Sequence, residues 1–216
     1  MKVATGGGQY VNPIGQGLRS ARVDMGVDYT GHGSLYAMGS GTIVNVRNAG
    51  WPGGTFIGLH LDTGQYMYYA ENIISHVHIG QRVTAGQLVG TAVGTYPFVE
   101  IGWAAPPGTG QTMAAKTGQS SKGSAAGDPG KYPTGYGVSM SNLIKSLGGP
   151  PGIISGPIQG GVPGNVSGAS GAAIPGCVPL VYYVWLVANA LRHAEKCGWN
   201  LPRNQFTNRR RKDEIG

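Results

Sequence analysis

Five short segments of alternating character, separated by glycine-bearing turns, constrain the fold of this chain more than any other feature. They are Thr42–Arg47, Thr55–Leu61, Gln65–Ala70, Gln87–Val93 and Phe98–Trp103. Apolar and polar residues take turns along several of them, which is the mark of a half-buried β-strand. Trp51-Pro52-Gly53-Gly54 and Asp62-Thr63-Gly64 stand between them as turn signals. Short strands with no helical pattern among them predict a mainly β domain over residues 10–105, an antiparallel sandwich or barrel.

The rest of the chain reads differently. Gly 40 and Pro 14 make up about a quarter of the 216 residues, near the level of low-complexity sequence, yet 40% of residues are hydrophobic and can supply a core. The glycines therefore have to be read by location. Residues 106–147 read as loop followed by a short helix over Tyr136–Leu147. Ser139 or Ser141 is the candidate cap, and Gly148-Gly149-Pro150 is the stop. Residues 148–176 read as an uncharged Gly/Pro-rich linker, too poor in bulky side chains to fold alone. Residues 177–216 read as an apolar helix over Val178–Leu191, with Pro179 in its first turn, followed by a basic tail ending in Arg209-Arg210-Arg211-Lys212.

The apolar segment 172–191 approaches the ~20 residues that cross a bilayer, but Pro175, Gly176 and Pro179 interrupt its first third. It could span a membrane, pack against partner chains, or dock on its own β domain. In a span, Arg192, Lys196, Arg203 and the Arg209–Lys212 cluster would hold that end in the cytoplasm. Cys177 and Cys197 flank this segment. A continuous helix of about 1.5 Å rise per residue would hold them too far apart for a disulfide. Lys+Arg 16 against Asp+Glu 9 gives a net charge of +7. That balance suits an anionic cell wall, a lipid surface or nucleic acid, or simply a basic protein with no such partner. The opening Met1-Lys2-Val3-Ala4-Thr5 has no apolar stretch of signal-peptide length, so no cleaved secretion signal is expected.

Chemistry-bearing residues gather in the β region. Asp24-Met25-Gly26-Val27-Asp28 opens it, Tyr69-Ala70-Glu71 lies in its middle, and Phe98-Val99-Glu100 closes it. Between them, Val77-His78-Ile79-Gly80-Gln81-Arg82-Val83-Thr84-Ala85-Gly86-Gln87-Leu88-Val89-Gly90 carries glycines and branched residues at regular intervals. Ser34-Leu35-Tyr36-Ala37-Met38-Gly39-Ser40-Gly41-Thr42-Ile43-Val44 does so as well. Together these motifs resemble the lysostaphin/LytM-type zinc endopeptidases that cut peptidoglycan cross-bridges. The resemblance covers under half of the chain.

In that family a His-x-Gly-x-Asp motif, a Tyr-x-His motif and a His-x-His motif supply the site. The resemblance places Asp24, Asp28 and Glu100 at the three zinc-ligand positions, and Glu71 and Phe98 at those of the two assisting histidines. Only Asp28 keeps the family's residue. Catalytic zinc favours imidazole or thiolate donors, whereas three carboxylates favour a harder ion such as calcium, magnesium or manganese. Zinc is therefore not expected, and Asp24, Asp28 and Glu100 could either hold a hard cation or line a vacated groove. Phe98 can neither move a proton nor donate a hydrogen bond. His76 and His78 have ligand spacing but no third partner near them in sequence, and His32 and His60 are uninformative. Trp51, Tyr66, Tyr68, Tyr69, Phe98 and Trp103 cluster on the same strands and turns. Trp51, Tyr69 and Trp103 are the candidates for contact with a sugar or peptide.

These features lead to the expectation of a non-catalytic, peptidase-like domain with no required cofactor. The resemblance extends to degenerate domains in the tail modules of bacteriophages. The expected role is thus that of a minor tail or tail-tip protein in a virion, partnered by other tail proteins or its own copies. It could contact peptidoglycan, and could touch a membrane through residues 172–191; no specific nucleic acid is expected. A peptidoglycan endopeptidase with a carboxylate metal site, and a cellular membrane-anchored pseudoenzyme that regulates a wall hydrolase, are the alternatives.

Overall fold

The computed structural model describes residues 10–119, 121 and 132–163. The expected apolar helix, the basic tail, the end of the Gly/Pro-rich stretch and both cysteines lie outside them. Among the described residues no helix is long and apolar enough to cross a membrane.

Among the described residues, ten strands and two α-helices occur in the order β1 Arg19–Val23, β2 Val27–Thr30, β3 Gly33–Tyr36, β4 Gly41–Arg47, β5 Thr55–Leu61, β6 Tyr66–Glu71, β7 Ile73–Ser75, β8 Arg82–Val83, β9 Leu88–Ala92, β10 Val99–Trp103, α1 Met113–Lys116 and α2 Gly135–Ser146. A seven-stranded sheet runs β1-β2-β10-β6-β5-β4-β8, and a three-stranded sheet runs β3-β9-β7. The neighbouring strands pair antiparallel throughout. The mainly β, antiparallel architecture is thus the expected one, and the five anticipated strands are β4, β5, β6, β9 and β10. The shortest strands, β2, β3, β7 and β8, carry too few alternations to stand out in sequence.

Strand parity divides the large sheet into two faces. On the inner face Val27, Tyr29, Ile101, Met67, Tyr69, Ile57, Leu59 and Ile43 are fully buried. They share one core with Leu35, Ala92, Val89 and Ile73 of the small sheet. Each such aliphatic side chain contributes roughly 2 kcal/mol through removal from water. The Tyr69 hydroxyl is held within this core, where it donates to Tyr36 O at 2.8 Å and accepts from Met38 N at 2.9 Å. On the other face Phe56, Tyr68, Ala70 and Ala104 form a second cluster, with Trp51 and Tyr66 packed against it.

The chain past residue 105 belongs to this body rather than trailing from it. Ala105 N donates to Gln111 O at 2.7 Å, and Val138, Met140 and Ile144 of α2 join the main core. The stretch expected as a linker from residue 148 lies, over its described part, along the edge strand β1. Val23 N donates to Ile153 O at 2.9 Å, Ile153 N to Ala21 O at 2.6 Å, and the Tyr29 hydroxyl to Pro150 O at 2.8 Å. Backbone pairing at a sheet edge needs no bulky side chains, so a glycine- and proline-rich segment can supply it.

The expected caps of α2, Ser139 and Ser141, are instead buried inside the helix. Thr134 is the cap: its hydroxyl accepts from Gly137 N at 3.1 Å and donates to Asp24 O at 2.9 Å. Thr134 N donates to the same carbonyl. One residue therefore both starts the helix and ties it to the turn after β1. Thr134→Ala should cost about 1–2 kcal/mol in urea unfolding, and Thr134→Ser should keep most of that stability.

Candidate functional site

The outer face of the large sheet carries the charged cluster. Glu100 lies on β10 opposite Asp28 of β2 on one side and Ala70 of β6 on the other. Paired residues of antiparallel strands share a face, so Glu100 and Asp28 point the same way. Asp24 follows β1 in a tight turn, where its Oδ1 accepts from Met25 N at 2.6 Å and Gly26 N at 3.4 Å. The result is three buried carboxylates whose nearest oxygens all lie within 4.8 Å of one another. Among the described residues this is the one group of His, Cys, Asp and Glu compact enough to surround a metal ion.

Two side chains that motif reading did not single out as site residues close this cluster. Tyr68 lies on β6 opposite Gly102, and its hydroxyl donates to Glu100 Oε1 at 2.5 Å. Room for that hydroxyl depends on glycine. A Cβ at Gly102 would come within 2.5 Å of the Tyr68 oxygen, and one at Gly26 within 2.7 Å of it and 2.9 Å of Glu100 Oε1. Arg22 is the second. Its Nε lies 2.8 Å from Asp28 Oδ2 and 3.5 Å from Asp24 Oδ2. A bulge places it there: from Ser20 to Val23 strand β1 advances three residues while β2 advances two. The extra residue brings Arg22 alongside Asp28. The arginine side chain is 51% exposed and covers carboxylates that are 3% and 11% exposed.

Burial pushes the Glu100 carboxyl well above its ordinary value, and the nearby charges of Asp24 and Asp28 push it further; the Tyr68 hydrogen bond works in the opposite direction. Tyr68 is raised as well, first by its own burial and then by Glu100, so its hydroxyl stays a donor. Two sources therefore relieve the repulsion within the trio: a guanidinium shared by the aspartates, and an upward-shifted Glu100.

The remaining expected residues sort by strand parity. Glu71 ends β6 with a left-handed backbone at φ 82° and lies close enough to raise Glu100 slightly. Phe98 is half-buried just before β10 and packs edge-on against Tyr96 at 6.0 Å. Of the three candidates for ligand contact, Tyr69 and Trp103 lie on the inner face, at 0% and 3% exposure, and are closed to any ligand. Trp51 sits on the outer face, half-buried, with its ring 5.1 Å from Phe56 and 5.4 Å from Tyr68. Its indole N–H donates to Gly110 O at 2.9 Å. His76 and His78 are exposed, with the His76 ring bonded to Thr91 Oγ1, and His60 stacks on Tyr66 at 4.2 Å.

Zinc does not fit this arrangement. The donor set is all carboxylate, with no imidazole or thiolate joining it among the described residues. The guanidinium beside Asp28 and Asp24 would also repel a second cation. The spacing of the oxygens alone suits a hard, oxygen-loving ion.

No protein-family model matches the chain, and no curated protein does. Solved structures do. The catalytic domain of the antimicrobial peptidase lysostaphin from Staphylococcus simulans is similar at 25% identity and a TM-score of 0.34, over 44% of this chain and 80% of that one. Whole lysostaphin from the same organism matches at 23% identity and a TM-score of 0.35 over 45% of this chain, which spans 43% of the lysostaphin chain. The catalytic domain of the prophage-encoded protein EnpA from Enterococcus faecalis matches at 19% identity and a TM-score of 0.40, over 48% of this chain and 92% of that one.

The upward shift of Glu100 fixes the sign of a pH effect. A carboxyl whose folded pKa exceeds its unfolded one stabilises the fold below the unfolded value, and that stabilisation is lost as pH rises through the folded value. Glu100→Gln keeps the acceptor for Tyr68 and removes the titration. As pH rises above the ordinary carboxylate range, the melting temperature of wild type should fall relative to that of Glu100→Gln. Parallel curves would show that Glu100 carries no such shift.

Proposed function

We propose that the β domain is a non-catalytic, peptidase-like module that rests against bacterial peptidoglycan. The observation that carries this reading is the closure of the Asp24–Asp28–Glu100 trio by groups of the chain itself, Arg22 and Tyr68. A hydrolytic metal centre needs an open coordination position and a nearby group to move protons. Here a guanidinium takes the approach to two of the three carboxylates. Phe98, at the position of an assisting histidine, has no proton to give.

The outer face still offers a binding surface. Trp51 is half-buried and backed by Phe56 and Tyr68, whose rings stack at 5.1 Å. An aromatic held at this angle beside a polar cluster suits the apolar face of a sugar or the stem of a peptide. The finer proposal is a minor component of a phage tail tip that brings this face to the host wall. It draws on the resemblance to tail-module domains and on the apolar segment 172–191, suited to packing on neighbouring tail proteins or touching a membrane. A wall endopeptidase with a hard-cation centre is the competing reading, favoured by the 4.8 Å spacing of the carboxylate oxygens.

Incubation of the full chain with purified peptidoglycan and added zinc, manganese or calcium should release no new amino groups. Metal-dependent release that Glu100→Ala abolishes would overturn the non-catalytic reading. Co-sedimentation with cell walls tests the contact: Trp51→Ala should weaken binding about tenfold while the melting curve shows the fold retained. Equal binding by the two proteins would remove Trp51 from the surface.

A further inference from the structure

The misfit between the site and a metal ion has a specific author in the sequence. We propose that Arg22 is the resident cation of this site: a tethered guanidinium that fills the place of a divalent ion and keeps such ions out. This rests on the non-catalytic reading above and extends it to the reason the carboxylates persist without a metal.

Geometry carries the argument. Ligand oxygens around one hard ion lie about 2.3–2.6 Å from it, so those across the ion from each other are about 5 Å apart. The nearest oxygens of Asp24, Asp28 and Glu100 fall within 4.8 Å of one another, and so converge as they would around a single centre. Arg22 Nε stands at 2.8 Å and 3.5 Å from two of the three residues. The third, Glu100, is occupied at Oε1 by Tyr68. A guanidinium does not lose its proton under conditions in which proteins stay folded, and being covalently attached it cannot diffuse away. A bound ion, by contrast, can leave by exchange with water or a chelator.

The backbone is also arranged to hold Arg22 in place. The bulge between Ser20 and Val23 turns it toward Asp28. Ile153 then grips the chain on either side of it, accepting from Val23 N and donating to Ala21 O. Gly152 lets that segment close in, since a Cβ there would lie 2.5 Å from Val23 Cγ2 and 2.7 Å from Val27 Cγ1. An arginine on a surface edge strand, paired by chance, would not need a second segment clamped to its two neighbours.

The test is a titration with the metals themselves. Arg22→Met keeps the aliphatic stem and removes the guanidinium and its charge. The full-length wild type, titrated calorimetrically with Mn²⁺ or Ca²⁺ near neutral pH, should show no saturable binding. Arg22→Met should bind one ion per chain saturably, at metal concentrations at least about tenfold below the highest at which wild type shows no uptake, as expected of an all-oxygen site. Adding Asp28→Asn to Arg22→Met should abolish the gain. Arg22→Gln, also neutral and of similar reach, is read in the same way if the Met variant does not fold.

Two results would overturn the proposal: wild type binding one ion as well as the variants do, or folded variants that bind none. Wall cleavage by the wild type would sink the non-catalytic reading on its own, while the titration of the variants would still decide the role of Arg22.

Discussion

Crowding of three carboxylates on a sheet face that excludes water is the constraint around which the rest of this domain is arranged. Strand pairing creates the problem, because Asp28 and Glu100 are direct neighbours across β2 and β10. Burial makes it severe, because like charges interact strongly where water cannot screen them. The surrounding features read as responses to it. A bulge turns Arg22 inward, the Asp24 turn offers two backbone amides to a carboxylate, and Gly26 and Gly102 leave room for the Tyr68 hydroxyl. Even α2 begins at this point, with Thr134 bonded to the Asp24 carbonyl. The inner face shows no such accommodation. It is apolar and held by packing, with the hydroxyls of Tyr69 and Tyr29 bonded to backbone carbonyls.

How much of this could be read from sequence depends on the range of the interaction involved. Alternation is a local property, so β4, β5, β6, β9 and β10 were visible in it. The helix α2 was visible too, because its apolar residues repeat locally, but its cap was not. Thr134 caps because the chain enters the helix from Pro133 with a hydroxyl aimed at both Gly137 N and Asp24 O, and the second partner is 110 residues away. Serines inside the apolar pattern were the more obvious choice and proved to be buried helix interior. The described part of the Gly/Pro-rich stretch departs from a linker for a related reason: Ile153 bonds to β1 through backbone, and composition says nothing about where backbone groups find partners.

The site shows the same division. The family resemblance points to Asp24, Asp28 and Glu100, and the fold brings them together. Arg22 had no signal, since its role depends on an extra residue in one strand that only the pairing register reveals. Tyr68 and Tyr69 make the sharpest contrast. They are adjacent, both aromatic, and equally attractive by residue type. The parity of β6 against β10 puts Tyr69 opposite Ile101 in the core and Tyr68 opposite Gly102 beside Glu100. One step of register separates a core anchor from a site residue.

On the reading proposed above, the persistence of so costly a cluster follows from the order in which it could be dismantled. Removing one partner of a buried ion pair strands the other and costs about 3–5 kcal/mol, whereas replacing the whole set by well-packed apolar residues is often neutral or better. No single substitution reaches that second state. Losing Arg22 leaves Asp24 and Asp28 to repel each other and Glu100. Losing Asp28 takes from Arg22 its 2.8 Å partner. Losing Glu100 leaves Tyr68, fully buried, without its acceptor. A site whose chemistry no longer demands carboxylates can still be held to them, because single steps toward an apolar set pass through a more strained cluster.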